Sequence, residues 1–323
     1  MQLKIRVLVF ICAIFSVVFC ACKNNDLDEK LAEEEQKLAE YIRETYGDAA
    51  IDLKGGAYLV KNQKEDEGAT IEAGNYIFWN WKKTNQITDE LEYTSDLTND
   101  KFPGSYVDGG PEMTLVQSSF KIDEGLKLMR KGEKGDIFIP SRWLLYDFQP
   151  RIYSVEIVDV IKNLSVYQDS LMYKFIRRNH RGASPDTIKV ISTVDKTEYK
   201  VMYHICKDGS GDKITADMNV ETQTSISYLL RMTRDGNAYP YQMNQDVTWN
   251  TGVNNKKTLT DINCIGEILK KMRKGGEVEV AMPAKLYWED KDLPMKNEQF
   301  IVPKGAVIIF TITINKPSEK SFT

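Results

Sequence analysis

The chain has 323 residues, of which 42% are hydrophobic, and its 43 Lys and Arg against 47 Asp and Glu give a net charge of −4. That composition is typical of folded protein, the length suits about two domains, and a weakly acidic chain lacks the basic surplus of most nucleic-acid-binding proteins. Two histidines and five cysteines disfavour a zinc centre or a Ser/His/Asp hydrolase, which leaves binding proteins and enzymes that use neither a metal nor a histidine.

The N-terminus has the features of an export signal. Lys4 and Arg6 precede an apolar run, Val7–Phe19, which is shorter than the roughly 20 residues of a membrane-spanning helix and has the length of a signal-peptide core. The run ends in Phe19-Cys20-Ala21-Cys22 ahead of polar residues, and this resembles a bacterial lipobox. The resemblance implies removal of residues 1–21 and lipidation of Cys22, with a plain secretory signal as the alternative.

Two later segments have apolar residues at helical spacing. The first, Leu27–Tyr46, is followed by Gly47 as a C-cap and predicts a helix of about 18 residues. The second, Tyr167–His180, predicts a helix between the two halves of the chain. We therefore expect a tether and helix over residues 22–47 and a linker helix over residues 163–185.

An internal repeat is the strongest signal in the sequence. Residues 122–147 and 265–290 align without a gap, and Ile122, Leu126, Met129, Arg130, Lys131 and Gly132 find identical partners 143 positions later. Each block predicts a short helix with one apolar face, closed by Gly132 or Gly275 and followed by a β-branched strand. The repeat predicts two tandem units over residues 48–162 and 186–316, with a C-terminal tail over residues 317–323.

Most of each unit is predicted to be β-structure. The expected strands of the first unit are Asn75–Trp81, Leu115–Phe120, Asp136–Ile139 and Tyr153–Val160. Those of the second unit are Tyr199–Cys206, Ser225–Arg231, Glu277–Met282 and Val307–Ile314. With one short helix in each unit, this pattern indicates an α+β fold in which antiparallel strands are covered by a helix.

The repeated block resembles the FKBP family of peptidyl-prolyl cis-trans isomerases. The first unit carries LKLMRKGEKGDIFIPSRWLLYD, and the second carries LKKMRKGGEVEVAMPAKLYWED and then IVPKGAVIIFTITI. This order is similar to the family's helix, strand, I-P-S segment, variable loop, I-P-P segment and last strand. The resemblance implies two tandem FKBP-like domains, each a curved antiparallel sheet packed on a short helix and preceded by a longer helix, in a lipoprotein of Bacteroidetes type.

The resemblance also implies a proline-accepting pocket in the second unit. The residues that match the family's pocket are Tyr228, Tyr239, Ile262, Ile265, Trp288, Val302 and Phe310. Pro240 replaces the aspartate of the family pattern, so one polar contact is lost, while the loop Lys291–Phe300 is long enough to cover a ligand. Such a site needs no cofactor, metal, nucleophile or base, because a dry apolar pocket favours the twisted X-Pro amide.

The first unit departs further from the family pattern. Its matching residues are Trp79, Tyr93, Ile122, Leu145 and Tyr153. Thr94 stands at the acidic position, Leu145 at the position of a tyrosine, and the loop between Asp147 and Pro150 is nearly absent. The resemblance therefore implies a degenerate pocket in this unit. In both units, simple core packing of these aromatic residues is the alternative interpretation.

Two functions follow from the resemblance as expectations. The first is a cell-envelope peptidyl-prolyl isomerase that acts on X-Pro bonds of exported proteins, mainly through the second unit. The alternative is a catalytically inactive FKBP-like scaffold that binds a protein or peptide partner. We expect a proline-containing polypeptide or protein partner, no nucleic acid, a monomer, and a lipid anchor in the outer membrane, on its periplasmic face or at the cell surface.

The remaining cysteines and the histidines are assigned structural roles. Cys206 and Cys264 are expected as small buried hydrophobic residues, although a disulfide between them stays open. His180 is expected in a linker and His204 in a strand, neither of them in catalysis.

Overall fold

The structure is a computed structural model that describes residues 26–95, 112–118, 120–144, 147–192, 195–216, 218–232, 239–250, 263–288, 293–294, 301–302 and 305–315. The chain divides into two compact units between residues 160 and 161. The lipobox around Cys22 lies outside the described residues. Among those described, no helix is both long and apolar enough to cross a membrane.

The first unit is a seven-stranded sheet with two α-helices. Helix α1 covers residues 26–46, and helix α2 covers Lys121–Lys127. The strands are β1 Ala50–Asp52, β2 Tyr58–Gln63, β3 Tyr76–Asn85, β4 Leu91–Thr94, β5 Glu112–Leu115, β6 Lys134–Ile139 and β7 Arg151–Ile161. Their order in the sheet is β1-β2-β6-β7-β3-β4, with β5 also paired to β3.

The second unit repeats this arrangement. Its helices are α3 Leu164–Asn179, α4 Asn263–Leu269 and α5 Ala284–Trp288. Its strands are β8 Asp186–Ile191, β9 Glu198–Lys207, β10 Asn219–Leu229, β11 Tyr239–Asn250, β12 Glu277–Pro283 and β15 Val307–Ile314, together with a separate two-stranded ribbon of β13 Leu293–Pro294 and β14 Ile301–Val302. The order β8-β9-β12-β15-β10-β11 is the order of the first unit, strand for strand, and the predicted α+β fold with two antiparallel sheets is confirmed.

The repeated Met-Arg-Lys-Gly turn has the same backbone bonds in both units. The Gly132 amide donates to the Ile157 carbonyl at 2.8 Å, and the Gly275 amide donates to the Ile314 carbonyl at 3.1 Å. Both glycines have positive φ, at 90° and 80°, a conformation that glycine adopts without a steric penalty. Isolated bridges join Thr70 to Arg130 and Lys213 to Arg273. These matching bonds show that Ile122 and Ile265 occupy equivalent positions in the two units, and that Tyr153 and Phe310 do so as well.

The single sheet of the first unit has one helix on each face. Leu126 and Met129 pack with Ile137 in the main core on the α2 face. Phe138, the next residue of β6, packs instead with Leu38 of α1. Because successive strand residues point to opposite faces, α1 covers the face that α2 leaves open.

Helix α3 has the same role in the second unit. Its Leu171 and Phe175 pack with Ala281 and Ile309 of the second sheet, and the Asn163 side chain caps its first turn by accepting from the Val166 amide at 3.0 Å. The helix that the sequence analysis expected as a linker is therefore part of the second unit's core.

Several local predictions differ from the structure. The expected strand Leu115–Phe120 shares only Leu115 with β5, because Phe120 is the N-cap residue of α2. Strands β1, β2, β4, β8, β11, β13 and β14 were not predicted. Cys206 and Cys264 are both free thiols, but only Cys264 is buried, so the expectation of burial was wrong for the exposed Cys206.

Candidate ligand-binding pockets

Two of the predicted pocket residues of the second unit, Tyr228 and Phe310, share one face of its sheet. Leu229 and Ile309 face α3, so their strand neighbours Tyr228 and Phe310 point to the opposite face. Tyr228, Phe310 and Ile265 of α4 are fully buried. The structure thus gathers an aromatic and aliphatic cluster on the side of the sheet away from α3.

Two residues that the sequence analysis did not select complete this cluster. Trp249 of β11 meets Phe310 edge to face, with ring centroids 6.2 Å apart, and its Nε1 donates to Thr222 Oγ1 at 3.0 Å. Tyr203 of β9 is buried and pairs with Val280 in the sheet. Its hydroxyl accepts from Lys271 Nζ at 2.6 Å, and this hydrogen bond raises the pKa of Lys271 against the opposing effect of burial.

The other predicted residues of this pocket lie on the elements around the cluster. Tyr239 begins β11 and pairs with Tyr228, Trp288 ends α5, and Val302 of β14 pairs with Leu293. Ile262 lies outside the described residues. The expected loop Lys291–Phe300 is in part a strand, because it contains β13.

An ion pair fixes the helix that carries Trp288. Lys285 Nζ of α5 lies 2.8 Å from Asp195 Oδ2, and the same carboxylate accepts from the Tyr199 hydroxyl at 2.7 Å. The hydrogen bond from Lys285 is the main reason that the pKa of Asp195 lies well below its ordinary value. The carboxylate therefore stays ionised and holds α5 beside the loop after β8.

The predicted pocket of the first unit is filled by one of its own side chains. Trp81 stacks on Tyr93 with ring centroids 4.4 Å apart, on Trp79 at 5.2 Å and on Tyr153 at 5.8 Å, with interplanar angles of 24°, 15° and 23°. Ile122 packs against the same core, and Leu145 lies outside the described residues. The structure brings four predicted residues together, with Trp81 at their centre.

Glu112 fixes the position of this central indole. Its Oε2 accepts from Trp81 Nε1 at 2.7 Å, and its Oε1 accepts from the Tyr93 hydroxyl. Because Trp81 is both stacked and hydrogen-bonded, a ligand ring would have to displace it. The sequence analysis missed Trp81, although it lies two residues after Trp79 and therefore on the same strand face.

A buried arginine organises the charges beside the first-unit cluster. Arg151 bonds Asp147 Oδ2 and Glu92 Oε1, each at 2.6 Å. Burial opposes ionisation of both carboxyls, but the hydrogen bonds from Arg151 prevail and the pKa of each lies below its ordinary value. Burial, aided by Glu92, raises the pKa of Tyr153 to about 12. At neutral pH both carboxyls are therefore ionised and the Tyr153 hydroxyl keeps its proton, so none of the three changes its protonation state near pH 7.

Helix α1 is hydrogen-bonded to the I-P-S segment of the first unit through Glu34 and Ser141. The Ser141 amide donates to Glu34 Oε1 at 2.8 Å, and the Ser141 hydroxyl donates to Glu34 Oε2. Near this contact a cleft of about 620 Å³ lies between α1 and the turn after β3, lined by Lys30, Glu33, Glu34, Lys37, Leu38, Gln86, Ile87, Phe148 and Pro150. Among the described residues, no group of three or more His, Cys, Asp or Glu side chains is arranged to hold a metal ion.

Comparison with known proteins returned only structural neighbours. No family model matches the chain, and none of the curated proteins matches it. The three FKBP domains of wheat FKBP73 match at 11% identity and a TM-score of 0.29, over 83% of this chain and 98% of that one. A peptidyl-prolyl cis-trans isomerase from Pseudomonas syringae matches at 14% identity and 0.32, over 42% and 96% of the two chains. FkpA from Escherichia coli matches at 20% identity and 0.32, over 43% and 64%.

The first of these neighbours is described as FKBP domains and the second as a peptidyl-prolyl cis-trans isomerase, but all three identities are below 25% and all three TM-scores below 0.5. The proposals below therefore rest on the topology, contacts and burial of this chain.

Proposed function

We propose that the protein is a peptidyl-prolyl isomerase-like lipoprotein of the bacterial cell envelope, acting on proline-containing segments mainly through its second unit. The observation that supports this most directly is the complete burial of Tyr228, Ile265 and Phe310, the first and last of them on the sheet face opposite α3. Helix α5 and the β13–β14 ribbon follow β12 in the chain and carry Trp288 and Val302.

The proposed reaction requires an apolar surface and no proton transfer by a side chain. Rotation about an X-Pro bond has a barrier of roughly 18–20 kcal/mol, because the planar amide loses its resonance. An apolar surface that excludes water favours the less polar twisted amide, and this preference for the transition state is what accelerates the reaction. In this scheme Tyr228, Ile265 and Phe310 form the apolar floor, and no side chain has to transfer a proton.

A binding scaffold without catalysis is the second candidate function. Tyr228, Ile265 and Phe310 are each fully buried, as core residues usually are, and Pro240 stands where the family pattern has an aspartate. If these side chains stay buried when a partner binds, the second unit holds the partner on its outer surface and does not rotate a prolyl bond.

The central experiment compares equivalent positions in the two units. The mature full-length protein is assayed for cis-trans exchange of a proline tetrapeptide, with Phe310→Leu and its matched control Tyr153→Leu. We expect the parent to accelerate exchange, Phe310→Leu to lose about tenfold or more of that acceleration, equivalent to about 1.4 kcal/mol, and Tyr153→Leu to retain it. Urea unfolding of each variant separates lost activity from lost folding.

Three other results would change the proposed function or its location in the chain. Loss of activity in Tyr153→Leu alone would place the site in the first unit. Peptide binding by calorimetry without acceleration would support the scaffold, and the absence of both binding and acceleration would overturn both candidate functions.

The envelope location is tested separately from the activity. We propose that Cys22 carries a lipid that anchors the protein in the outer membrane. Expression of Cys22→Ser in a bacterial host that processes lipoproteins should move the protein from the membrane fraction to the soluble fraction. A variant that still sediments with membranes as the parent does would contradict the lipid anchor.

A further inference from the structure

The two histidines of the whole chain meet in the second unit. His180 follows the last residue of α3, His204 lies in β9, and their rings stack with centroids 4.2 Å apart and an interplanar angle of 29°. His180 Nε2 lies 2.9 Å from Glu279 Oε1 of β12. Only 18% of the His180 side chain and 12% of the Glu279 side chain are exposed. The sequence had given the two histidines unrelated places, 24 residues apart.

The cluster lies where the chain passes from α3 into the sheet. His204 and Glu279 are direct partners across β9 and β12. The His180 amide closes the last turn of α3 by donating to the Ile176 carbonyl at 2.9 Å. The chain then turns through Arg181 and Gly182, both with positive φ, and enters β8 at the edge of the sheet. The contact between His180 and Glu279 therefore fastens this end of α3 to the sheet.

Few other titratable groups act on the cluster. Asp186 of β8 favours protonation of His204, Glu277 of β12 disfavours ionisation of Glu279, and Cys206 of β9 lies close to both glutamates. Cys206 is exposed as a residue, but partial desolvation of its sulfur is the main factor that raises the pKa of the thiol to about 11, so this thiol is neutral over the range considered below. One carboxylate can neutralise the charge of one imidazolium ion. If both stacked rings are protonated, one positive charge has no such partner in the cluster.

We propose that His180, His204 and Glu279 form a proton-operated latch, which holds the end of α3 on the second sheet at neutral pH and releases it on acidification. While at least one imidazole is neutral, the rings stack without mutual charge repulsion and His180 keeps its contact with Glu279. When the second imidazole takes a proton, two like charges lie in contact at a site that is mostly shielded from water, and like charges at such a distance repel strongly. Separation of α3 from β9 relieves this repulsion.

The direction of the pH effect follows from His204. Burial, followed by the neighbouring His180, lowers the pKa of His204 below its ordinary value of 6.5. As the pH falls below about 6.5, the released state binds more protons than the closed state, so the closed state loses stability. Burial raises the pKa of Glu279 above 4.5, which has the opposite sign and acts nearer the carboxyl range. The histidine effect is therefore sought between about pH 7 and 5.5.

The latch is tested on the full-length protein by NMR and hydrogen exchange. Two imidazole signals are followed from pH 8 to 5 and assigned with single His→Gln variants. We expect the His204 signal to titrate below 6.5, the ordinary midpoint of an imidazole, because burial and the neighbouring ring disfavour its charged form. Exchange of the His180 amide, corrected for intrinsic pH dependence, should rise about tenfold between pH 7 and 5.5, because the open population rises by the same factor.

Three variants separate the latch from general acid loosening. His204→Phe keeps a stacked ring without its charge and should abolish the rise in exchange. Glu279→Gln removes the carboxylate that lies 2.9 Å from His180 Nε2 and should raise exchange already at pH 7. Lys200→Gln removes the pair between Lys200 and Asp169 of α3, 2.6 Å apart, and should leave the pH response unchanged. A His204 midpoint at or above 6.5, or the same rise in His204→Phe as in the parent, would overturn the proposal.

Discussion

The two units hold the same turn by different means. In the first unit, the buried carboxylate of Glu133 accepts from Lys61 Nζ at 2.9 Å and from the Arg130 amide at 2.8 Å. In the second unit Gly276 stands at the equivalent position, and a side chain there would meet the carbonyl oxygens of Asp208 and Lys207 at 2.7 and 2.8 Å. The shared Met-Arg-Lys-Gly sequence sets the backbone path, while an ion pair or close backbone packing can secure it.

The candidate pockets of the two units also differ, in the burial and the contacts of their aromatic residues. The first unit carries Tyr153 in a half-buried cluster with Trp81, tied to carboxylates. The second carries Phe310 at the equivalent position, fully buried. The two units therefore share one strand order, while in the first unit the indole of Trp81 fills the aromatic cluster. This contrast is the reason for placing the proposed function in the second unit.

The largest effect expected from this contrast is in Glu133→Ala. Removal of one partner leaves Lys61, only 14% exposed, and the Arg130 amide without their acceptor. Breaking a buried ion pair in this way destabilises a protein by about 3–5 kcal/mol, measured by urea unfolding. Lys131→Ala, which removes an exposed pair with Asp159, should lose under about 1 kcal/mol. Similar losses in both variants would show that Glu133 does not secure the turn.

A smaller effect is expected from the glycine that secures the second turn. Gly209 has a φ of 88°, and a Cβ there would lie 2.6 Å from the Arg273 carbonyl oxygen and 2.7 Å from that of Lys274. Gly209→Ala should lower the free energy of unfolding by about 1–3 kcal/mol. Asp66 occupies the equivalent place in the first unit and is exposed. A loss in Asp66→Ala as large as that in Gly209→Ala would remove the distinction between the turns.

The contact between α1 and the first sheet should show a weaker effect. Ser141→Ala removes the hydroxyl that donates to Glu34 but keeps the amide that donates to the other carboxylate oxygen. We expect a loss of about 0.5–1.5 kcal/mol in the free energy of unfolding, the usual net value of one hydrogen bond. Faster hydrogen exchange in α1 should accompany it. Unchanged exchange there would contradict a docking role for Ser141.

Acid should give the smallest and most local effect. The pKa values of Glu92 and Asp147 are lowered in the folded protein, so their contribution is complete above the ordinary carboxyl range and is lost as the pH falls through the lowered values. Below about pH 4 the unfolded state binds more protons, and the first unit should lose stability. Arg151→Gln should flatten this acid dependence in urea melts, and an equally steep dependence in that variant would exclude the Arg151 network as its cause.

The sequence predicted the duplication because the repeat lies in residues that set backbone geometry. Gly132 and Gly275 close the same turn, and the apolar face of each short helix is visible from spacing alone. Strand β11 escaped prediction because Pro240 argues against a strand, but β11 lies at the sheet edge, where proline is tolerated.

Contacts between distant residues were beyond the reach of the sequence. Glu34 and Ser141 are 107 positions apart, and nothing local in either segment indicates the partner. The same is true of His180 and Glu279, which are 99 positions apart. In the site, the sequence analysis did not select Trp81, and the structure shows that this indole stacks among Trp79, Tyr93 and Tyr153 of the first unit.

The strand order of each unit has a consequence for synthesis of the chain. The last strand of each sheet lies in its interior: β7 between β6 and β3, and β15 between β12 and β10. While the ribosome has not yet delivered residues 307–314, the strands of the second unit can form only two separate ribbons, β8-β9-β12 and β10-β11. The first unit can close its sheet while the second is still being made, at roughly 5–20 residues per second. A nascent chain that stops short of β15 leaves two open sheet edges, which are the kind of surface that chaperones protect from aggregation.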